Sequence, residues 1–210
     1  MRVKKAKPTK DANTEEKIKT AAHIVFHKKG FAATRTRDIA AEAGINLALL
    51  NYYFRSKVKL FDLIMLETIT VFLYSMEVVF NNAGTTLEQK IQLMSEKYID
   101  MLIAEPEMPI FLMSEIREGS TEVLDKLPII NTILQSVFVK QYKDAVKKGA
   151  IMEMHPIHFL MNLAGLIVFP FVNSPMIKKI GKLSDREFKK LMLERKAMIP
   201  VWVKAMFKPA

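Results

Sequence analysis

A glycine set between two short runs of helix formers constrains this 210-residue chain more than any other feature. From Thr34 to Leu60 the sequence reads TRTRDIAAEAGINLALLNYYFRSKVKL. Thr36 offers a hydroxyl to the open amides of a first turn and DIAAEA continues it, so a helix is expected from Thr36 to about Ala43. Gly44 can take the left-handed conformation that ends a helix; Ile45 then folds back onto that helix and Asn46 caps the next. In the second helix Leu50 and Phe54 share one face and need burial, against Ile39, Ala43 and Ile45. Leu47, Ala48, Asn51 and Tyr52 are left facing outwards. Ser56 caps a third helix, whose first-turn Lys57 opposes the helix dipole, a conflict that a nearby phosphate would relieve. Two helices joined by a tight glycine turn can place one of them in the major groove of DNA.

The charge distribution agrees with a phosphate partner. Residues 1–59 hold 14 Lys and Arg against 5 Asp and Glu, whereas residues 60–210 hold 18 against 17. Nearly all of the net +10 therefore sits in the first quarter of the chain. Each phosphate that such a segment neutralises releases condensed counterions, which makes binding steeply salt-dependent.

Over about residues 15–65, and above all in IAAEAGIN, NYYF and SKVKLF, the sequence resembles the DNA-binding domain of the tetracycline-repressor (TetR) family of bacterial regulators. The resemblance implies that Thr36 and Arg37 meet the DNA backbone and sometimes a base edge, that Tyr53 and Lys57 hold phosphates, and that Leu47, Ala48 and Tyr52 lie on the groove-reading helix. It also places Asn46 at the cap of that helix. Two positions depart from the family pattern. Leu49 stands where Thr or Ser is common and removes a phosphate contact; Asn51 stands where Tyr is common and either reads adenine in bidentate fashion or replaces a packing ring.

The rest of the chain reads as helix. Proline is absent from Thr9 to Glu105, and no alternating strand pattern or Asn-Gly hairpin signal occurs. Helices are expected at about Glu15–Lys29, capped by Thr14, and at about Ser56–Phe80, Thr86–Ala104 and Pro106–Glu118. A long one follows at about Thr121–Lys148, bent or restarted at Pro128, and the last two at about Pro156–Val172 and Ser184–Phe207. The fold class is all-α. Residues 1–13 form a basic N-terminal arm, 14–60 a three-helix helix-turn-helix DNA-binding domain, and 61–210 a helical ligand-binding and dimerisation domain.

Thirteen of the fourteen methionines lie at or beyond Met65. Methionine is flexible and polarisable, so a region rich in it can reshape around varied apolar molecules. Phe72, Met76, Met94, Tyr98, Met101, Met113, Phe138 and Met161 sit on apolar stripes of the middle helices and are the expected lining of an effector cavity. The last two helices carry wide apolar faces. Leu160, Leu163, Ala164, Ile167 and Phe171 on one, with Leu191, Ile199, Trp202 and Val203 on the other, are expected to pair with a second copy as a four-helix bundle.

Chemistry of other kinds finds little support. With no cysteine there are neither disulfides nor thiolate zinc sites. His155 and His158 lack the further ligands of a metal set, His23 and His27 read as solvent- or phosphate-facing, and Glu115 with Glu118 as a solvated helix end. No phosphate loop, nucleophile elbow or triad is visible. No cofactor, no metal and no enzymatic activity are expected. The amino terminus lacks a signal-like apolar stretch and no run reaches the roughly 18 unbroken apolar residues of a membrane span, which places the expected protein in the cytoplasm without a membrane partner. The expected function is a homodimeric, ligand-responsive regulator, most naturally a repressor released from its DNA operator by a small apolar or amphipathic effector. A peripheral membrane or lipid-carrying helical protein with a basic end is the rival, and it leaves the Thr36, Gly44, Asn46 and Ser56 punctuation unexplained.

Overall fold

The computed structural model describes residues 10–117, 134–152 and 155–206. Among them the chain forms ten helices and no strand: α1 Lys10–Ala33, α2 Thr36–Glu42, α3 Leu47–Tyr53, α4 Lys57–Asn81, α5 Leu87–Ala104, α6 Met108–Arg117, α7 Val137–Lys147, α8 Pro156–Val172, α9 Ser174–Gly181 and α10 Asp185–Met206. Two compact units divide the chain between Thr68 and Ile69, so α4 contributes its first half to one and its second half to the other.

In the first unit, Ile18, Ala21, Ala22, Val25 and Phe26 of α1 are buried together with Ile39, Leu50, Leu60, Phe61 and Ile64. The rings of Phe26, Phe31 and Phe61 pack in tilted and edge-on pairs at centroid separations of 4.7–6.0 Å. Helix α1 starts earlier than expected: residues 10–13 are already its first turn, so Thr14 lies inside the helix and does not cap it. Gly30, with φ 73°, breaks its geometry just past the expected end at Lys29, and a further short helical stretch follows through Ala33.

In the second unit, Met76, Val79 and Phe80 of α4 pack with Ile91, Met94, Ile99 and Leu102 of α5, Phe138 and Tyr142 of α7, Leu163 and Ile167 of α8, and Met192, Ile199 and Val203 of α10. Helix α5 opens with a reciprocal cap: Thr86 Oγ1 accepts from the Gln89 amide and Gln89 Oε1 from the Thr86 amide. Lys90 is wholly buried, which its type predicts against. Its Nζ donates to the Asn82 carbonyl at 2.5 Å and to the carbonyl and hydroxyl of Thr85 at 2.8 Å each, tying down the α4–α5 turn. Burial pushes its ammonium below the usual lysine range.

One expectation for this half is corrected. The final stretch holds three helices where two were expected, because Pro175 stands in the first turn of a separate short helix, α9, which ends at Lys182 in the left-handed conformation. Helix α4 is long and apolar enough by length and composition to cross a membrane, although Asp62, Glu67 and Glu77 interrupt it. It supplies buried residues to each unit, Leu60, Phe61 and Ile64 to the first and Met76, Val79 and Phe80 to the second. Of the expected Thr121–Lys148 helix, α7 is seen from Val137, capped by Ser136. Its earlier part with Pro128, the arm as far as residue 9, and the pair Glu115 and Glu118 lie outside the described residues and side chains.

Candidate nucleic-acid interface and sensor half

The turn between α2 and α3 is built almost wholly from backbone bonds. The Gly44 amide donates to Ala41 O at 3.1 Å and the Ile45 amide to Ala40 O at 3.0 Å, the paired pattern that closes a helix through a left-handed residue. Gly44 has φ 61°. A Cβ there would meet nothing nearer than Lys17 Nζ at 3.8 Å, so glycine is required by the backbone conformation and not by lack of room. Asn46 caps α3 as expected, its Oδ1 accepting from the Leu49 amide at 2.8 Å.

The cap of α2 is a correction. The capping position belongs to Arg35, and Thr36 is the first helical residue. Arginine has no acceptor to offer. Instead Asp38 Oδ2 reaches back to the Arg35 amide at 3.0 Å while also pairing with Lys29 Nζ at 3.2 Å. The amide bond, then the lysine, holds the Asp38 carboxyl below the usual carboxylate range.

Behind α3, Leu50 is fully buried against Ile39 and Ala43, with Ile45 and Phe54 half-buried. On the other side Leu47, Ala48, Asn51 and Tyr52 are exposed, Tyr52 to 78 %. Tyr53 is half-buried and meets the Tyr52 ring edge-on at 5.3 Å. Arg37 is exposed, Thr36 half-buried, and Arg35, Arg55 and Lys59 are exposed as well. So one face of two short helices presents a cation-flanked row of apolar, amide and phenol groups, backed by a rigid core.

Lys57 has a different setting from the rest. Its Nζ donates to the carbonyls of Phe31 at 2.9 Å and Thr34 at 3.0 Å and lies 4.2 Å from the centre of the Phe31 ring. The conflict between its charge and the α4 dipole is thus relieved by carbonyls at the end of α1, where a phosphate was expected to do so. Lys57→Ala is therefore expected to lower the melting temperature by roughly 3–6 °C, on about 1–2 kcal/mol for carbonyls left without a donor, besides any effect on DNA. An unchanged melting curve in calorimetry would contradict the internal role.

Of the expected effector-lining residues, Met76, Met94 and Phe138 are buried in the core of the second unit, with Phe72, Tyr98 and Met101 packed against it; the Phe72 and Tyr98 rings lie 4.9 Å apart. Burial raises the Tyr98 phenol above its ordinary range. Met113 and Met161 are exposed and do not join them, because they fall on the outer sides of α6 and α8. A cleft of about 560 Å³, which the methionine pattern did not indicate, opens between the start of α5, the end of α7 and Pro200–Lys204 of α10. Leu87, Ile91 and Ile151 floor it and Glu88, Gln92 and Lys204 line its polar part. His155 accepts the Ile157 amide through Nδ1 at 3.3 Å and so caps α8.

The expected dimer face divides in two. Leu163, Ile167, Phe171, Ile199 and Val203 are buried in the chain's own core and offer no surface to a second copy. Leu160 and Trp202 are half-buried, while Ala164 and Leu191 are exposed. Exposed beside them on α8 are Ile157, Met161, Gly165 and Phe169, spaced as one helical stripe, and on α10 Met198 and Val201. Helix α8 is apolar nearly all round and α10 carries apolar residues on more than one side between its charged ones, so only the packing distinguishes the inner stripe from the outer.

The family model described as bacterial regulatory proteins, tetR family, matches residues 18–64, which span α1 from Ile18 to the first half of α4. The chain is 25 % identical over 203 residues to the probable HTH-type transcriptional regulator YttP of Bacillus subtilis (strain 168), covering 93 % of this chain and 95 % of that protein. Among solved structures, a TetR transcription regulator from Haloarcula marismortui superposes with a TM-score of 0.63 at 16 % identity, covering 93 % of this chain and 99 % of the other. The transcriptional regulator FadR from Bacillus subtilis, solved in complex with stearoyl-CoA, superposes with a TM-score of 0.60 at 18 % identity, covering 91 % and 98 %.

Proposed function

Because the chain belongs to the TetR family of bacterial transcriptional regulators, we propose that it acts as a homodimeric repressor that grips an operator through α3 and releases it when a small apolar or amphipathic effector enters the second unit. A DNA-binding regulator, not an enzyme, is the premise; repression, the dimer and the effector are the proposal. The observation that carries it is the exposed row Leu47, Ala48, Asn51 and Tyr52 on a helix capped by Asn46 and anchored by the buried Leu50. Rigid presentation of this kind is what base reading needs, while Thr36, Arg37, Tyr53 and the flanking arginines suit phosphates. A twofold dimer sets two such helices about one helical turn of DNA apart, on a near-palindromic site in the cytoplasm.

The effector half draws on the buried Met76, Met94 and Phe138 beside Phe72, Tyr98 and Met101, a set of flexible and aromatic apolar groups. Stearoyl-CoA, found with the Bacillus subtilis regulator, is an amphipathic molecule of the proposed class and the first probe to use. A hundredfold fall in operator affinity requires about 2.7 kcal/mol of coupling between the two sites. If candidate ligands bind and operator affinity stays constant, the effector half fails while the DNA-binding half stands.

The reading face has its own test. Asn51→Ala and Tyr52→Ala are expected to change the ranking of operator variants, each by about tenfold at one base position, with little effect on random duplex. Equal losses on specific and random DNA would overturn the assignment. The long apolar α4 is the feature that favours a membrane partner, so anionic vesicles belong beside duplex DNA in the same salt series. Retention on vesicles with no preference for duplex would replace the regulator reading.

A further inference from the structure

Helix α8 contains a defect that another helix repairs. Pro170 lies inside α8 and has no amide hydrogen, so the carbonyl of Leu166, four residues earlier, loses its helical donor. Arg195 of α10 fills the gap: its Nη2 donates to Leu166 O at 2.6 Å. The same guanidinium lies 5.0 Å from the centre of the Trp202 ring, two turns further along α10. Next to this junction the Phe171 and Phe188 rings pack edge-on at 6.0 Å, fastening the end of α8 to the start of α10.

The arrangement is costly for a core and so calls for an explanation. Arg195 Nε is buried without an acceptor, and no carboxylate lies within ion-pair distance of the guanidinium among the described residues. Burial holds the group below its ordinary range. An apolar side chain with an ordinary residue in place of Pro170 would pack the same seam at less expense. What the cation adds is direction, since a planar guanidinium held over an indole can aim one N–H at one carbonyl.

Around it lie the outer residues that the proposed subunit partner would meet: Phe169 beside Pro170, exposed to 57 %, and Met198 and Trp202 beside Arg195. We propose that Arg195 is a positioning residue of the subunit interface: by supplying the hydrogen bond that Pro170 removes, it fixes how α8 and α10 cross and thereby sets the shape of the face on which a second copy docks. This rests on the dimer reading above. The chemistry requires the pair to act together. With alanine at position 170 an amide returns to Leu166 O, and Arg195 loses its particular task.

A double-mutant cycle tests it in the full-length protein, with wild type, Arg195→Leu, Pro170→Ala and the double variant compared by sedimentation equilibrium and by calorimetry. Arg195→Leu alone is expected to raise the dimer dissociation constant about tenfold, the loss of one hydrogen bond from a charged donor, and to lower the melting temperature. In the Pro170→Ala background the same substitution should change the dissociation constant by less than about threefold. Equal losses in both backgrounds overturn the proposal. Coupling in the melting temperature with none in dimerisation overturns the interface role and leaves a latch internal to one subunit. Arg195→Lys guards against a misfolded leucine variant: it keeps the charge, lacks the planar fork and should not restore dimerisation, so full rescue by lysine also counts against the claim. Failure of the dimer reading itself shows separately, as a wild type that sediments as a monomer.

Discussion

Gly44→Val is expected to abolish operator binding and to lower the melting temperature of the protein by roughly 5–10 °C. A β-branched side chain at φ 61° costs about 2–3 kcal/mol, and escape from that cost means opening the bonds from Gly44 to Ala41 and from Ile45 to Ala40. Those two bonds aim α3 relative to α2, so even a variant that stays folded presents its reading row at a different angle. Gly44→Asn is the informative control, because asparagine tolerates the left-handed region and the space around a Cβ is open. It should keep most of the stability and most of the DNA binding. If valine and asparagine behave alike, backbone conformation is not what the turn demands of this position. Fluorescence anisotropy with a labelled operator and a calorimetric scan on each variant decide the matter.

A comparable loss is expected from charge on the outer stripe of α8. Met161 is 62 % exposed and Phe169 57 % in the single chain, and on the dimer reading both are covered by the partner. Burying two unpaired carboxylates there is prohibitive, so Met161→Glu combined with Phe169→Glu should yield a folded monomer whose operator affinity falls more than a hundredfold, on the order of 3 kcal/mol or more. Leu163→Ala makes the opposite case. Its side chain is buried within its own subunit, and its removal should cost about 2–5 kcal/mol of stability while shifting the dimer constant far less. Should the glutamate pair leave a stable dimer, subunits meet elsewhere.

These contrasts show where the sequence was informative. Gly44, Asn46 and Leu50 were readable because everything that determines them lies within one or two turns: a left-handed residue, an amide acceptor before a helix, an apolar side chain one turn from another. The all-helical class followed from periodicity and from the run without proline in the same way. Lys57, Lys90 and Arg195 were not readable. Their partners are backbone carbonyls of Phe31, Thr34, Asn82, Thr85 and Leu166, and every residue carries a carbonyl, so sequence marks none of them out. The inner and outer stripes of α8 and α10 failed for another reason. Both carry apolar residues, and which one faces the home core is fixed by neighbours distant in the chain, so the apolar pattern alone does not separate the buried Leu163 and Ile199 from the exposed Met161. Thr36 was displaced from its capping role by a residue two further on, since Asp38 bonds the Arg35 amide from inside the helix.

The sheltered amine of Lys90 gives the second unit a built-in timer. A water-borne acylating reagent attacks only an unprotonated, accessible amine, and this one is held by three oxygens beneath the α4–α5 turn, so modification must wait for that turn to open. Peptide mapping after pulses of such a reagent would read the opening frequency directly, and a bound effector that stiffens the helices around it would register as a slower tick.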